Sequence, residues 1–449
     1  MRRSPLKEIF QGGLAVSFAE KVRKVLLERI HEMSANAWLF VQNPESDFTR
    51  KRKLDFETML QCLLAMESGS LQKELLEMFQ FRTDTATASA FYQQRGKILP
   101  EALEFLFREF NKAFEVSKTY RGYRLLACDG TSLNIARNPA DQENYYQTAP
   151  DAKGYNLLHL NAMYDLCERR YTDAIIQPGR TNNECRAMTD MIDRCDSGHK
   201  TIFLADRGYE SYNIFAHVEQ RGMFYLIRVK DRHSKSILSS LSLPQVEEFD
   251  TKVHLTLTRK QTKHARACSE TYKFLPNNST FDYLVQNEFY PITLRVVRFP
   301  LSADTYECVI TNLPSDEFPP DELKKLYAMR WGIETSFREL KYAIGLSCFH
   351  SKRVEYIKQE IFARLVLYNF CEIITTHMVI LQKDSKYVYQ INYTMAIHIC
   401  RYFLRCSSDI SPPNVELLLH KLLLPIRLGR SDPRKVTPKS VVSFLYRVA

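Results

Sequence analysis

The chain has 449 residues, of which 45% are hydrophobic and 25% are charged. These fractions are close to the averages of globular proteins, and they exclude a largely disordered or collagen-like chain. Lys and Arg outnumber Asp and Glu by 62 to 52, which suits a polyanionic partner but is also compatible with an ordinary basic protein. Eleven cysteines without a CxxC pair favour reduced thiols in a cytoplasmic protein over a disulfide framework or a zinc site.

Residues 1–118 are predicted to form a helical N-terminal domain. Apolar residues recur there at helical spacing, and three short helices at 55–67, 71–79 and about 86–98 resemble a helix-turn-helix in length. The third helix carries residue types that contact bases or phosphates, namely Ser89, Gln93, Gln94, Arg95 and Lys97. DNA-end binding and a helical bundle with a solvated basic edge are both compatible with this pattern.

Residues 119–231 change to a succession of strands and helices, which is typical of an α/β fold. Apolar and β-branched runs predict strands at 125–128, 157–164, 171–176, 201–205 and 224–229, and helices at 184–194 and 211–221. Residues 232–316 are rich in β-branched and aromatic residues, so we expect a β-rich insertion in the α/β domain.

Beyond residue 316 the chain is predicted to be helical. We assign 317–375 to the second part of the α/β core, and 376–449 to a helical basic region that could contact DNA or a second copy of the chain. The basic residues near its end are Arg427, Arg430, Arg434, Lys435 and Lys439. Residues 361–381 approach the length of a membrane span, but Arg364 and Glu372 within them favour a buried helix. No signal peptide is expected.

The most informative segment is an amphipathic helix predicted at 321–344. At about 100° per residue, its large apolar residues share one face. An adjacent polar stripe consists of Tyr327, Arg330, Glu334 and Lys341, bordered by Trp331 and Arg338. A solvated face with an ordinary Arg330–Glu334 pair would give the same pattern, so the stripe needs partners before it indicates a function.

Two aspartates could be those partners. Asp129 follows the apolar strand at 125–128, and Asp206 follows the strand at 201–205. Functional groups gather at the carboxyl ends of parallel strands, so both could join Glu334 and hold a pair of divalent cations about 4 Å apart. Each also has a structural interpretation, because Asp129-Gly130 is an ordinary turn signal and Asp206 could cap a loop or helix. Asp165, which ends a predicted strand, is the main rival carboxylate.

These residues resemble those of the DDE transposases of bacterial insertion sequences. Tyr327, Arg330, Glu334 and Lys341 have the spacing of the Tyr-x2-Arg-x3-Glu-x6-Lys signature of one group in that family. The contexts Asp129-Gly130-Thr131 and Asp206-Arg207-Gly208-Tyr209 are also typical of the group. The resemblance covers about 119–345, in the order aspartate strand, aspartate strand, β insertion and glutamate helix.

The resemblance implies an α/β, ribonuclease-H-like catalytic core interrupted by a β-rich insertion domain. It implies Asp129, Asp206 and Glu334 as the catalytic, metal-binding triad for two Mg²⁺ ions per active site, with Mn²⁺ able to substitute. The DNA-binding residues that it implies are Tyr327, Arg330, Lys341, Trp331, Arg338 and Arg207, with Trp331 a candidate for base stacking by its position alone.

The expected activity is metal-dependent cleavage and strand transfer in cut-and-paste transposition. The expected partners are double-stranded DNA at terminal inverted repeats, target DNA, and a second copy in a paired-end homodimer, without a membrane. The expected location is the cytoplasm, with association to the nucleoid when DNA is bound. Three alternatives stay open: a catalytically inactive DNA-binding relative, a plain metal-dependent endonuclease, and a basic structural protein with an incidental helix motif.

Overall fold

The structure is a computed structural model that describes 17–50, 52–196, 198–231, 236–268, 270–284, 288–302, 305–378, 387–406 and 411–426. The basic C-terminal residues named above, 427–439, lie outside these ranges. The chain divides into two compact units. One consists of Met1–Glu115 with Leu340–Ala449, and the other of Val116–Glu339.

The first unit begins with a series of helices, most of which start at a polar capping side chain. They are α1 (Phe18–Ala35), α2 (Phe56–Ala65), α3 (Leu71–Met78), α4 (Ala88–Arg95) and α5 (Glu101–Lys112). The side chains of Ser17, Asp55, Ser70 and Thr87 accept backbone hydrogen bonds at the starts of α1 to α4. The helices predicted at 55–67, 71–79 and 86–98 are therefore present, although the last one ends at Arg95.

The second unit contains the strands and helices of the predicted α/β region. In chain order they are β1 (Arg124–Ile135), β2 (Tyr145–Tyr146), β3 (Tyr155–Asp165), β4 (Arg170–Pro178), α6 (Glu184–Asp193), β5 (Thr201–Ala205), α7 (Tyr212–Gln220), β6 (Phe224–Val229), β7 (Phe249–Thr258), α8 (Lys263–Ala267), β8 (Tyr272–Phe274), β9 (Phe289–Ser302), β10 (Thr305–Thr311), α9 (Pro320–Met329) and α10 (Trp331–Tyr342). The last residues of α10 belong to the first unit.

The strands of this unit form one mixed sheet, in the order β2-β3-β1-β5-β6-β10-β9-β7-β8, with β4 also paired to β3. β3 is antiparallel to β1 and β4, whereas β5 is parallel to both β1 and β6. β10 adds to β6 in antiparallel fashion. Strands from the predicted β-rich segment at 232–316 therefore extend the central sheet rather than forming a separate one.

Alternate residues of β5 face opposite sides of this sheet, as strand geometry requires. Phe203 joins an apolar cluster with residues of α6 and α7. Ile202 and Leu204 join a second cluster with Leu323 and Leu326 of α9. α9 is thereby fixed against the sheet face opposite α6 and α7, and it leads directly to the helix that carries Glu334.

β1 is longer than the sequence predicted. It pairs with β3 from Leu126 opposite Asp165 to Ile135 opposite Asn156, so Asp129 lies inside the strand and not after it. The interpretation of Asp129-Gly130 as a turn is wrong, because Gly130 lies in the ladder opposite Asn161. On its other edge, however, β1 pairs with β5 only as far as Ala127. Asp129 is therefore just past the end of the parallel pairing.

The single helix predicted at 321–344 is two successive helices, α9 and α10, that meet at Arg330. The Arg330 backbone is helical, with φ −52° and ψ −32°. Its N–H donates to the carbonyl of Tyr327, one residue short of the α-helical partner. Gly332, a weak helix former, follows, and a Cβ there would lie 2.8 Å from Cδ2 of Leu166. The chain tightens at this point but keeps its direction.

The rest of the first unit is mainly helical. It contains α11 (Val354–His377), β11 (Val388–Gln390), α12 (Tyr393–Arg405), α13 (Val415–Lys421) and β12 (Leu424–Ile426). α11 is buried along most of its length, with Arg364 and Glu372 inside, which confirms the buried helix predicted there. No helix in the described ranges is both long enough and apolar enough to span a membrane.

Candidate active site

The register between β1 and β5 puts Asp129 and Asp206 at the same level of the sheet. Ala127 is opposite Leu204, and each aspartate lies two residues further along the chain, Asp129 within β1 and Asp206 directly after β5. Because neighbouring parallel strands advance together, the two carboxylates fall side by side at the end of the pairing. The structure thus brings together the two aspartates that the sequence singled out, although β1 continues beyond Asp129.

Both aspartates accept a local hydrogen bond through Oδ1. Asp129 accepts from the N–H of Gly130 at 2.8 Å, and Asp206 accepts from the N–H of Gly208 at 2.7 Å. The bond to Asp206 caps a short 3-10 helix, Arg207–Tyr209, so the predicted capping role of Asp206 is present. A carboxylate has about four acceptor positions, so these bonds leave capacity for other ligands.

Glu334 lies in the first turn of α10 and pairs with Arg330. Nη2 of Arg330 is 2.8 Å from Oε1 of Glu334. The Arg330 side chain is only 4% exposed, whereas that of Glu334 is 38% exposed. The i,i+4 pair expected for a solvated helix face is therefore present, but its cation is buried, which a solvated face does not explain.

Electrostatics tie these groups into one site. The pKa of Asp129 is raised to about 6, chiefly by burial and further by the charges of Asp206 and Glu334. The N–H of Gly130 and the guanidinium of Arg330 act in the opposite direction. Two further carboxylates and one guanidinium thus act on Asp129, and all of them are residues that the sequence singled out.

The donors of this site fit a divalent cation. Hard carboxylate oxygens suit Mg²⁺ or Mn²⁺, and three carboxylates against one guanidinium leave an excess of negative charge. Within the described ranges, no three His, Cys, Asp or Glu side chains are close enough together to hold one ion jointly. Arg330 also occupies one oxygen of Glu334. The fit therefore rests on donor chemistry and charge.

The other predicted residues of the polar stripe have different environments. Tyr327 is buried on α9, and the Arg330 guanidinium lies 5.5 Å from the centre of its ring and 5.3 Å from that of Trp331. Trp331 itself is 57% exposed. Arg338 is exposed on α10, and Lys341 lies about two turns after Glu334, with its pKa lowered by burial.

Arg207 opens onto a cationic cavity of about 610 Å³ that the sequence analysis missed. The cavity is also lined by Arg228 and Lys230 at the end of β6 and by Glu307 of β10. Arg228 Nε lies 2.7 Å from Oε1 of the buried Glu307. Burial raises the pKa of Glu307, while Arg228 and Arg330 oppose that shift. A basic residue at the end of predicted strand 224–229 was the signal available in the sequence.

Asp165 has a structural role. Its side chain is fully buried, and its Oδ2 accepts from Nε of Arg124 at 2.8 Å. Its Oδ1 accepts from the backbone N–H groups of Cys167 and Glu168. These bonds account for its burial, and nothing in them connects it with Asp206 or Glu334.

Several residues in and just after α4 were predicted to contact DNA. The fold of the first unit buries some of them and exposes others. Arg95 is fully buried and donates to Gln359 and Glu360 of α11, so its proposed contact with DNA is wrong. Gln94 is also buried. Ser89 and Gln93 are exposed, and Gln93 and Lys97 line a cavity of about 580 Å³ with Tyr92, Lys352, Arg353 and Tyr356.

Comparison with known proteins agrees with this geometry. Residues 120–370, more than half of the chain, match the family described as "Transposase DDE domain". The chain therefore belongs to the DDE transposases, which confirms the family that the sequence motifs indicated.

Two curated relatives are transposases of insertion sequences. "Transposase InsG for insertion sequence element IS4" of Escherichia coli (strain K12) is 23% identical over 414 residues, or 86% of this chain and 86% of that protein. "Transposase for insertion sequence element IS231B" of Bacillus thuringiensis subsp. berliner is 21% identical over 256 residues, or 50% of this chain and 51% of that protein.

A solved structure also resembles the chain. It is the "piggyBac transposase synaptic complex with hairpin DNA", at 10% identity and a TM-score of 0.45, covering 92% of this chain and 87% of that one. A likeness at this level supports no conclusion about the present site.

Proposed function

We propose that the protein is a DNA transposase that binds the two ends of an insertion sequence, cuts them and joins them to target DNA. The proposal rests on the β1–β5 register, which puts Asp129 and Asp206 at the same level of the sheet. The charge of Glu334 also helps to raise the pKa of Asp129. Membership of the DDE family supports it.

The strand order supports a ribonuclease-H-like core in this proposal. The antiparallel strands β4, β3 and β1 continue into the parallel pair β5 and β6, with Asp129 on β1 and Asp206 directly after β5. In this proposal 119–231 and 317–375 form the catalytic core and 232–316 is an insertion. The segment 1–118 binds DNA ends, and 376–449 supports a dimer or DNA contacts.

Asp129, Asp206 and Glu334 would hold two Mg²⁺ ions, with Mn²⁺ able to substitute. When bound, such a pair activates water or a 3′-hydroxyl for attack at phosphorus and stabilises the leaving oxygen. The chain would contribute three carboxylates near the end of the β1–β5 pairing, with the charges of Asp206 and Glu334 acting on Asp129. The buried position of Arg330 keeps one cation beside them in a medium of low dielectric constant.

Basic groups around the carboxylates would position the phosphodiester. Arg330 is held by Glu334 through Nη2, and a guanidinium can also fork onto phosphate oxygens. Lys341 would act as a point charge two turns further along α10, and Tyr327 would fix Arg330 through its ring. A phosphodiester gains negative charge in its transition state, so cations at this site would lower the barrier.

The DNA would follow the exposed cations. In the second unit these include Arg207 and Lys230, which line the 610 Å³ cavity with the half-buried Arg228, and Arg338 on α10 beside the exposed Trp331. Trp331 is suited to stacking on an unpaired base because more than half of it is exposed. Two ends must be held in one complex, so we propose a homodimer on DNA.

The test is Mg²⁺-dependent nicking and joining of labelled DNA that carries the ends flanking the gene. We expect the wild-type chain to nick and join these ends, and Glu334→Gln to bind them without cutting. Glu339→Gln, on the same helix, is the matched control and should remain active. Equal cleavage by Glu334→Gln would show that Glu334 is not required for catalysis.

Two other outcomes would identify the remaining alternatives. Nicking without strand transfer, with both ends assembled, would identify a plain endonuclease. Assembly of the paired ends without cleavage by the wild type would identify an inactive DNA-binding relative.

A further inference from the structure

A glycine lies one or two residues after each of the two aspartates proposed as catalytic. The backbone conformation does not require glycine at either position. Gly130 lies in the ladder of β1, and neither Gly130 nor Gly208 is among the glycines with positive φ in the described ranges. The lack of space for a side chain accounts better for glycine at these positions. A Cβ on Gly130 would lie 2.4 Å from Nε2 of His159 and 2.6 Å from Oε1 of Glu184, closer than real contacts allow.

The same glutamate reaches the second aspartate. A Cβ on Gly208 would lie 3.8 Å from Oε2 of Glu184 and 3.0 Å from Oδ1 of Asp206. Gly208 also donates the hydrogen bond that holds Asp206. One carboxylate thus packs against the backbone beside both catalytic aspartates, with one oxygen toward each segment.

His159 lies directly beside this carboxylate. Its Nε2 is 2.9 Å from Oε1 of Glu184, and its own side chain is only 8% exposed. On β3 it lies opposite Ser132 of β1, whose Oγ is 3.5 Å from Nδ1. The contact with His159 lowers the pKa of Glu184, so the carboxylate is stabilised in its charged form.

The helix that carries Glu184 is itself firmly placed. Glu184 is the first residue of α6, after the cap Asn183, whose side chain accepts from the N–H of Arg186. A negative charge is favoured at that end of a helix. Ala187 and Met188 in the next turn are fully buried, which fixes the start of α6 against the sheet.

We propose that Glu184 and His159 are positioning residues that set the separation of the Asp129 and Asp206 carboxylates. This inference rests on the proposed function of the site. Glu184 spans the strand of one aspartate and the loop of the other, so its removal frees both segments where like charges repel. Metal-dependent catalysis requires its groups within about 0.5 Å of the productive geometry, so such freedom weakens cation binding.

The experiment compares Glu184→Ala, Glu184→Gln and His159→Gln with the wild-type full chain. Asp190→Asn is the matched control, because Asp190 lies on α6 and pairs with Arg186 away from the glycines. Mn²⁺ binding is measured directly by electron paramagnetic resonance, and thermal unfolding is measured without metal. Nicking rates are then recorded against Mg²⁺ concentration.

We expect Glu184→Ala to weaken Mn²⁺ binding at least tenfold and to raise the Mg²⁺ concentration for half-maximal nicking by a similar factor. Glu184→Gln, which keeps the shape, should recover most of the loss, and the control should match the wild type. A residue that only stabilises the fold would lower the unfolding temperature and leave metal affinity unchanged.

Wild-type Mn²⁺ affinity in folded Glu184→Ala would overturn the inference while leaving the proposed function intact. If Glu184→Ala does not fold, His159→Gln decides, and unchanged Mn²⁺ affinity in that variant overturns the inference. If the wild type binds no Mn²⁺ and cuts no DNA, the proposed function fails, and the inference fails with it. Asp129→Asn, measured in parallel, shows whether Mn²⁺ binds at this site.

Discussion

Two carboxylates, the buried Glu360 of the first unit and the half-buried Asp129 of the second, have pKa values shifted in opposite directions. In the first unit Glu360 is fully buried, yet its pKa lies well below the usual range because Arg95, His350 and Arg364 outweigh the effect of burial. In the second unit the pKa of Asp129 is raised to about 6, since burial and two further carboxylates outweigh Arg330. Burial alone does not determine the charge of a side chain; the balance of its neighbours does.

The bonding patterns explain this contrast. Glu360 Oε1 lies 2.9 Å from Nη1 of Arg95, and both of its oxygens accept from the N–H of His350. Glu74 shares His350 through its Nε2, at 3.1 Å. Five charged groups therefore satisfy each other around Glu360. The three carboxylates proposed as catalytic have only Arg330 as a guanidinium partner in the described part of the site, so their negative charge is not balanced by the protein's own cations.

The largest expected effect is on the site with excess negative charge. Asp129→Asn or Asp206→Asn should reduce nicking by about a thousandfold or more, the scale of losing a principal electrostatic contributor in a catalytic site. Neither change should lower the unfolding temperature, because each removes repulsion. Nicking assays and thermal unfolding check both points, and activity within tenfold of the wild type would contradict the assignment.

Removing a cation from the cluster around Glu360 should instead lower the free energy of unfolding. Arg95→Met leaves Glu360 buried with fewer partners, so we expect a loss of about 3–5 kcal/mol in the free energy of unfolding. Arg82→Met is the control, because Arg82 forms an exposed pair with Asp84, and it should leave the free energy of unfolding nearly unchanged. Urea denaturation measures both, and equal effects would refute the distinction between the two pairs.

The stability contributed by His350 should depend on pH. Its pKa is raised from 6.5 to about 9 because Glu360 and Glu74 outweigh the effect of burial. A raised pKa adds stability that is complete below about pH 6.5 and is lost as the pH rises through 9. We expect a decline of a few kcal/mol across that window. His350→Gln should flatten it, and an unchanged profile in this variant would exclude His350 as the source.

The smallest expected effect concerns Lys97, a half-buried cation whose Nζ lies 3.6 Å from Oδ1 of Asp47. Lys97 lines the cavity with Lys352 and Arg353, so Lys97→Ser should weaken DNA binding only a few-fold and lower the salt dependence of log K by about one unit. Lys24→Ser, at an exposed pair with Glu28, serves as the control. Binding titrations at several salt concentrations measure the slope, and identical slopes for both variants would remove Lys97 from the DNA path.

The sequence predicted those parts of the site that depend on local pattern. Helical spacing put Arg330 and Glu334 on one face, and apolar runs placed the strands that lead to Asp129 and Asp206. It failed at the length of β1, because Gly130 has little intrinsic preference for a strand and is held there by pairing with β3.

Contacts between segments far apart in the sequence also could not be predicted from local pattern. Arg95 is of a residue type that often contacts DNA. It is instead buried beside Glu360, which lies 265 residues away in the chain. Similarly, His159 and Glu184 meet only through the packing of α6 on the sheet. Residue type and local spacing carry no signal for such pairs.

The division of the first unit between both ends of the chain has a consequence for synthesis. A ribosome adds roughly 5 to 20 residues per second, so Arg95 emerges about 13 to 50 seconds before Glu360. During that interval the early helices lack the segment that neutralises Arg95, while 116–339 is already available to fold. A prematurely terminated polypeptide would retain the strands of both aspartates but would expose an incomplete helical unit to proteases, so only complete translation would yield a lasting product.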